Sequence, residues 1–254
     1  MAITIPSFCV ATKDTISCQI PLQVAQKIQS YFGSKVTVFS SSNNNSGLPS
    51  GYNMLELASV KDIGKNFKSL ESDLLILSLI GSDASRGLVT PVEANKIIDH
   101  IERLVLTIPC NAEGFNFSKI VVPIDSSFET RQKVPYAVAM ARVFGSKLCV
   151  IGVSNDKGKD SEVVINNYMR QVCNNIEEKG LSFESEIRLG GNPTEQVLDY
   201  AKDIHAGMIV IMTEQETNFT SFFSGKYSQQ MVKSSNIPVL SIHPKDLIVS
   251  DARL

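Results

Sequence analysis

The tetrapeptide Phe-Gly-Ser-Lys occurs twice in this chain, at Phe32–Lys35 and at Phe144–Lys147. Each copy follows a segment with the spacing of an amphipathic helix and precedes a short apolar run. The glycine in each copy suits the left-handed residue that closes an α-helix. The copies lie 112 residues apart (144 minus 32), and similarity at a fixed spacing is the signature of a repeated structural unit.

A second register of the repeat appears later in the chain. Val105–Ile108 matches Val239–Ile242 at a spacing of 134 residues (239 minus 105). The second copy therefore holds 22 more residues than the first (134 minus 112), which corresponds to one helix and its turn. We expect two copies of the same fold, of which the first is abbreviated.

The second copy alternates short apolar, β-branched runs with segments of helical periodicity, from Lys119 to Ile242. This order, βαβαβαβαβ, predicts an open, doubly wound parallel sheet with helices on both faces. The alternating run Phe183–Leu189 predicts a half-exposed edge strand. The first copy has a Ser/Asn/Gly/Pro-rich loop, Ser40–Gly51, where its second helix is missing. The predicted fold class is α/β, with two doubly wound open parallel-sheet domains.

The repeat also sets the expected domain boundaries. We expect an abbreviated domain at 1–110, a linker at 110–116, a complete domain at 117–244 and a C-terminal tail at 245–254.

Composition narrows the class of protein. The 254 residues carry a formal net charge of -2 and no cluster of Lys and Arg, which argues against nucleic acid as a partner. No apolar run reaches the roughly 18 residues that span a bilayer, and the first residues lack the pattern of a secretory signal. The expectation is therefore a cytoplasmic protein that binds neither nucleic acid nor membrane.

The chain contains little that suggests catalysis or metal binding. We expect its five cysteines, an odd number without a CxxC pair, to be small core residues in a reducing compartment. The cysteines are Cys9, Cys18, Cys110, Cys149 and Cys173. The three histidines lack metal-ligand spacing, and no GxSxG, Walker A or HExxH motif occurs. We therefore expect no metal site, and the protein is predicted not to be an enzyme.

Four stretches of the second copy resemble a known family. They are Val121–Ser127, Ala139–Gly145, Val150–Val153 and Ile237–Ile242. They are similar to the opening strand and turn, the first helix, the second strand and the last strand of universal stress proteins. The first copy resembles the family more weakly, mostly through the repeat, so the whole chain resembles a tandem universal stress protein.

This resemblance implies a five-stranded sheet in the order 3-2-1-4-5 in each domain. It also implies that two such domains pair, here within one chain and through their final strands. A homodimer and an unidentified protein partner are further expectations.

Some members of the family bind ATP or a related adenine nucleotide. Their phosphate loop has the pattern Gly-x-x-Gly, nine residues, then Gly and Ser or Thr, because glycines let backbone N–H groups approach phosphate closely. In this chain the three glycine positions read Met212, Gln215 and Gly225, and the last position is Lys226. Only one glycine of the three is present.

The same loop contains two carboxylates, Glu214 and Glu216. A carboxylate about 5 Å from a phosphate charge costs roughly 3 kcal/mol at an effective dielectric constant near 20. Lys226 could offset part of this cost as a cation that faces the phosphate. The resemblance thus implies a degenerate nucleotide site.

The resemblance carries over to seven candidate cofactor-binding residues. They are Asp125, Val153, Thr213, Gly225, Lys226, Tyr227 and Ser228. Asp125 matches the carboxylate that meets the nucleotide base or ribose, and Val153 matches a position near the base. Each has a simpler alternative: Asp125 as a turn or cap residue before the first helix, and Val153 as an ordinary strand residue.

The first copy departs from the family differently. Asp125 corresponds to Lys13 at the spacing of 112, although Asp14 is adjacent. The small residues and one Arg of Ile80–Gly87 could cradle an anion, but a surface loop is the simpler interpretation. Thr90 is predicted to cap the helix whose N-terminus a phosphate would otherwise use.

The sequence therefore predicts a cytosolic stress-response or regulatory protein of the universal stress protein type, without a catalytic site and without a cofactor. The alternative is a sensor that binds ATP or AMP in the cleft between Asp125 and Lys226.

Overall fold

The computed structural model describes residues 3–16, 18–42, 47–81, 86–110, 115–127, 129–213 and 227–243. Five residues of the candidate phosphate loop lie outside these ranges, as does the predicted tail at 245–254. They are Glu214, Gln215, Glu216, Gly225 and Lys226.

The first half of the chain shows the expected shortened pattern. Its elements are β1 (Ser7–Thr12), α1 (Ile20–Phe32), β2 (Lys35–Ser40), β3 (Asn53–Glu56), a 3₁₀ turn (Val60–Asp62), α2 (Ile63–Ser69), β4 (Leu74–Leu79), α3 (Pro91–Ile101) and β5 (Leu104–Pro109). In the described part of this half, no helix separates β2 from β3.

The second half contains the additional helix. Its elements are β6 (Lys119–Ile124), a 3₁₀ turn (Glu129–Lys133), α4 (Val134–Phe144), β7 (Lys147–Ser154), α5 (Lys159–Glu178), β8 (Phe183–Leu189), α6 (Pro193–Asp203), β9 (Met208–Met212), α7 (Tyr227–Ser234) and β10 (Val239–Ile242). The additional helix is α5, whose apolar stripe of Ile165, Met169, Val172 and Ile176 is buried.

All ten described strands form one sheet, in the order β3-β2-β1-β4-β5-β10-β9-β6-β7-β8. Within each half the order is 3-2-1-4-5 and neighbouring strands are parallel, which confirms the predicted fold class. The last strands of the halves, β5 and β10, pair antiparallel, with Val239 opposite Thr107. The Thr107 hydroxyl also donates to the Val239 carbonyl over 3.2 Å.

Two apolar cores cover opposite faces of the sheet, and each extends through both halves. One core contains buried residues of α1, α4 and α5, and the other contains those of α2, α3, α6 and α7. Successive strand residues alternate between them: Val10 and Val122 lie in the first, and Cys9 and Val121 lie in the second. The two halves therefore share their cores as well as their sheet.

Local sequence signals set the ends of several helices. Gly33 and Gly145 close α1 and α4 in the left-handed conformation, with φ of 70° and 67°, as the repeated tetrapeptide predicts. Thr90 and Glu93 form the predicted capping box at the start of α3. Helix α4 begins only at Val134, after the 3₁₀ turn, which agrees with the late start that a proline at 135 favours.

The cysteines divide into two groups, and one expectation was wrong. Cys18 and Cys110 form a disulfide that spans 92 residues, whereas all five cysteines were expected to be reduced core residues. Cys9 and Cys149 are fully buried free thiols, as expected, whereas the free thiol of Cys173 is only half-buried. Burial raises the pKa of Cys9 to about 11 and that of Cys149 to about 12, so both stay protonated and unreactive.

Two properties of the described residues bear on function. No helix among them combines the length and hydropathy that crossing a bilayer requires. Nowhere in the described ranges do three or more His, Cys, Asp or Glu side chains form a group that could hold a metal ion.

Candidate functional site

The candidate site of the second half lies at the carboxyl ends of β6 and β9. These strands are neighbours, and the chain continues from β6 to β7 on the other side, so the strand order reverses here. Ligands of open α/β sheets bind in the crevice outside such a point. Asp125 directly follows β6 and Thr213 directly follows β9, which places both residues at the crevice.

Asp125 is exposed and organises the turn after β6. Its Oδ1 accepts hydrogen bonds from the backbone N–H of Ser127 over 2.8 Å and from the Ser127 hydroxyl over 2.6 Å. Its own N–H donates to Thr130 Oγ1 over 3.1 Å. One carboxylate oxygen therefore serves the turn, and Oδ2 has no hydrogen bond to any described residue.

Lys133 is a feature of this site that the sequence interpretation missed. Its side chain is only 4% exposed, and Nζ donates over 3.1 Å to the same Thr130 Oγ1 that binds the Asp125 N–H. Thr130 is its one hydrogen-bond partner among the described residues. Desolvation lowers the Lys133 pKa to about 8, and the negative charge of Asp125 opposes this shift.

A helical pattern could have revealed Lys133. It stands four residues before Ala137 and seven before Met140, both buried on the core-facing side of α4. A lysine in line with an apolar stripe buries at least its alkyl stem against the core, so this spacing marks Lys133 as a candidate for burial. The sequence predicted a late or kinked start of the helix near Pro135, so this spacing was not extended back to Lys133, which lies in the 3₁₀ turn before α4.

The other candidate residues are mostly packed into the fold. Val153 is 2% exposed and belongs to the core beneath α6 and α7, in keeping with the strand alternative. Thr213 is 7% exposed, and its N–H and hydroxyl both donate to the Ile242 carbonyl, over 2.9 and 3.3 Å. Tyr227 and Ser228 begin α7, where Ser228 is buried. These positions surround the crevice and offer it few open polar groups.

In the first half, hydrogen bonds and a disulfide within the chain fix the turn at the equivalent crevice. Asp14 Oδ1 accepts the N–H of Ile16 over 2.7 Å, and the Lys13 carbonyl accepts the hydroxyls of Ser40 and Ser41. The disulfide links the turn after β1, through Cys18, to the end of β5. Because β4 lies between β1 and β5, this covalent link passes the carboxyl end of β4.

The described ends of the loop after β4 also fold back onto that strand. The N–H groups of Leu88 and Val89 donate to the Ser78 carbonyl over 3.0 and 3.2 Å. Gly87 has a φ of 78°, and a Cβ there would lie 2.4 Å from the Leu79 carbonyl oxygen, so only glycine fits. Thr90 caps α3 as predicted, which uses the first-turn N–H group of Glu93.

Comparison with known proteins then identifies the family. The family model described as the universal stress protein family matches residues 116–243. The chain belongs to the universal stress protein family. A curated universal stress protein of Methanocaldococcus jannaschii is 24% identical over 140 residues, covering 50% of this chain and 82% of that relative.

Solved structures share the architecture of the whole universal stress protein chain described above. A functionally unknown protein of Pseudomonas aeruginosa has a TM-score of 0.70 and 19% identity, covering 97% of this chain and 95% of that one. A universal stress protein of Archaeoglobus fulgidus has a TM-score of 0.66 and 14% identity, covering 95% and 100%. At such low identity these likenesses show a shared fold and nothing about ligands.

Proposed function

We propose that this chain is a tandem universal stress protein that acts as a non-catalytic regulatory protein. One observation carries the proposal: two five-stranded units of the same strand order share one sheet through the antiparallel pairing of β5 and β10. Such pairing covers the two strand edges that would otherwise be open. In this proposal the domains are 1–110 and 117–244, and their association is intramolecular.

The proposed nucleotide site is degenerate. Oδ1 of Asp125 already serves the turn to Ser127, and the Val153 side chain is packed into the core. The loop pattern that starts at Met212 has one glycine where nucleotide-binding members have three, and it carries two glutamates. Each of these features lowers the expected affinity for a polyphosphate.

Equilibrium dialysis with ATP and AMP tests this proposal. We expect no saturable binding up to millimolar ligand, and no hydrolysis of ATP by the protein. Saturable binding at micromolar ligand would contradict a degenerate site, and turnover that is lost in Asp125→Ala would contradict a non-catalytic protein.

The second candidate function is an adenine-nucleotide sensor that uses the cleft between Asp125 and Lys226. The position of Asp125 favours it, since this exposed carboxylate stands at the reversal of strand order and only its Oδ1 is used by the turn to Ser127. A sensor predicts that Asp125→Ala and Lys226→Ala each weaken ATP or AMP binding at least tenfold. Unchanged affinity in both variants would remove this candidate.

The cytoplasmic location and the unidentified protein partner are also proposals. Disulfides persist in oxidising compartments, and those of cytosolic proteins are usually transient or redox-sensing. Alkylation of thiols in intact cells before lysis measures whether Cys18 and Cys110 are reduced. A cytoplasmic protein predicts that a substantial share is reduced, whereas full oxidation indicates an exported protein.

A further inference from the structure

The two outer edges of the ten-stranded sheet differ in length and exposure. One edge, β3, has four residues, whereas the other, β8, has seven. The middle residues of β8, Ser185 to Ile187, are exposed, and Ile187 is 37% exposed although it is apolar. A long edge strand with unpaired backbone groups is a template for pairing with another strand.

The pairing of β8 with β7 fixes which backbone groups face outward. The Ser182 carbonyl accepts the N–H of Leu148 over 3.1 Å, and the Gly190 N–H donates to the Ser154 carbonyl over 2.6 Å. Backbone groups alternate sides along a strand, so the even-numbered residues of β8 face β7. The N–H and carbonyl groups of Ser185, Ile187 and Leu189 therefore point to the open edge.

This alternation of inward- and outward-facing backbone groups restricts how two β8 strands can pair about a two-fold axis. The axis can pass through a hydrogen-bonded pair, at an outward-facing residue, or through a non-hydrogen-bonded pair, at a residue that faces β7. An axis of the second kind, at Glu184, Glu186 or Arg188, would place that side chain opposite its own copy, with like charges facing each other. An axis at Ser185 would place Glu184 opposite Glu186 of the other copy, which is unfavourable. An axis at Ile187 places Glu186 opposite Arg188 twice, because 186 plus 188 is twice 187.

The Ile187 register is favourable for both side chains and backbone. Glu186 and Arg188 would be opposite each other at non-hydrogen-bonded positions, where side chains of paired strands are closest. Three outward pairs, Ile187 with itself and Ser185 with Leu189 twice, would exchange about six backbone hydrogen bonds. The exposed Ile187 side chain would be covered by its counterpart.

Arg188 is already held in place for this contact. Its Nε donates to Glu186 Oε1 over 2.6 Å, its guanidinium lies 3.2 Å from Asp203 Oδ2, and its Cζ lies 5.3 Å from the Tyr200 ring centroid. An arginine fixed by its own strand and helix loses little side-chain entropy when a partner strand arrives. A second copy would extend each ion pair into a network of four charges.

We propose that the β8 edge is a docking surface for a second copy of this chain, with antiparallel pairing centred on Ile187. The occupant is the chain itself, because a two-fold axis at Ile187 makes the charge pattern of β8 self-complementary. The two ten-stranded sheets become one continuous sheet of twice the width. A contact limited to one strand and its flanks is small, so the dimer forms and dissociates with concentration.

Sedimentation velocity over a range of protein concentration tests the proposal on the full chain. We expect a reversible monomer–dimer equilibrium for the wild type. Arg188→Glu replaces two opposite-charge pairs with like-charge pairs and should weaken dimerisation about tenfold. The charge-swapped double variant Glu186→Arg/Arg188→Glu restores opposite charges across the axis and should recover the dimer.

Two controls separate this contact from general effects. Lys68→Glu makes the same change in net charge on α2 in the other half and should leave dimerisation unchanged. Circular dichroism checks that each variant is folded, and the double variant keeps the test valid if Arg188→Glu alone is unstable. A wild type that stays monomeric at every concentration, or a dimer that Arg188→Glu does not weaken, would overturn the proposal.

Discussion

The same position of the repeat carries Thr130 in the second half and Cys18 in the first half, since 130 minus 18 equals the spacing of 112. Both residues hold the turn that follows the first strand of their half. Thr130 does so by accepting hydrogen bonds from the Asp125 N–H and from Lys133, whereas Cys18 does so through a covalent bond to Cys110. One crevice is therefore organised by a buried polar network, and the other is tied to the end of β5.

The difference extends to the neighbouring position. Lys133 corresponds to Pro21 (133 minus 112), which is buried in the first turn of α1. Only the second half thus contains a buried cation at its crevice, within the described residues. The repeated backbone is therefore maintained, while the side-chain chemistry at the carboxyl ends of its strands differs between the halves. We expect the two crevices to respond to different perturbations, the first to reductant and the second to pH.

The largest effect should come from the disulfide of the first half. Cys18→Ser/Cys110→Ser removes a link across 92 residues, and loss of such a native disulfide costs about 2–5 kcal/mol of unfolding free energy. Urea unfolding measures the loss, and amide hydrogen exchange should show it first in β1, β4 and β5. Cys173→Ser, at a half-exposed free thiol of the second half, is the control. A double variant as stable as the wild type would contradict the inference that the disulfide stabilises the crevice of the first half.

The next effect concerns pH and belongs to the second half. The folded pKa of Lys133, about 8, lies below its unfolded value of 10.5, so between these values the unfolded chain binds more protons. Stability from this group therefore rises with pH across that window, by about 3 kcal/mol in total, and is lost as pH falls through 8. Relative to Lys133→Met, the wild type should gain stability from pH 8 to 10.5.

The difference between wild type and variant isolates Lys133 from the buried thiols and tyrosines that titrate in the alkaline range. Burial raises the pKa of Tyr52 to about 12, so this group acts in the opposite direction in both proteins and cancels. Lys68→Met removes a lysine from the exposed surface of α2 and serves as the matched control for the change of residue type. A constant difference for Lys133→Met would mean that the ammonium is not buried.

A smaller effect should follow from Thr130→Val. This near-isosteric change removes the acceptor for both the Asp125 N–H and Lys133 Nζ, and buried donors left without an acceptor cost about 1–3 kcal/mol. The matched control is Thr194→Val, because buried Thr194 loses a single side-chain hydrogen bond, to Gln230. Thermal unfolding should rank Thr130→Val as the more damaging. The reverse ranking would argue that the polar network does not hold the crevice.

The smallest effect should be the same in both halves. Thr90→Ala removes the capping box of α3, and Asn192→Ala removes the cap of α6, each for about 1 kcal/mol. Equal losses of unfolding free energy, measured in urea, would indicate that the two halves differ at their crevices and not in how their helices are capped. A loss of several kcal/mol in only one of them would show that the difference reaches the helices as well.

Much of the fold could be predicted from local patterns. The repeated tetrapeptide gave the two helix ends at Gly33 and Gly145, and the 22-residue difference gave the additional helix α5. Periods of two and 3.6 residues identified the strands and helices, because burial of one face acts on each element separately. Thr90 followed from capping chemistry, which depends on four consecutive residues.

Less of the candidate site could be predicted from the sequence. Asp125 and Thr213 were placed at the crevice, since they directly follow strands whose order the family resemblance supplies. The burial of Lys133 was missed because its 3₁₀ turn interrupts the helical period, and burial there depends on how that turn packs against β9.

The duplication, the alternation of strands and helices, and the helix caps could all be predicted without coordinates, because each is encoded by residues close together in the chain. The contact of Cys18 with Cys110, and the acceptor that Lys133 shares with the Asp125 N–H, were visible only in the folded chain. These outcomes depend on which strand ends lie side by side. Local pattern does not specify that juxtaposition, since it arises from the packing of the entire sheet.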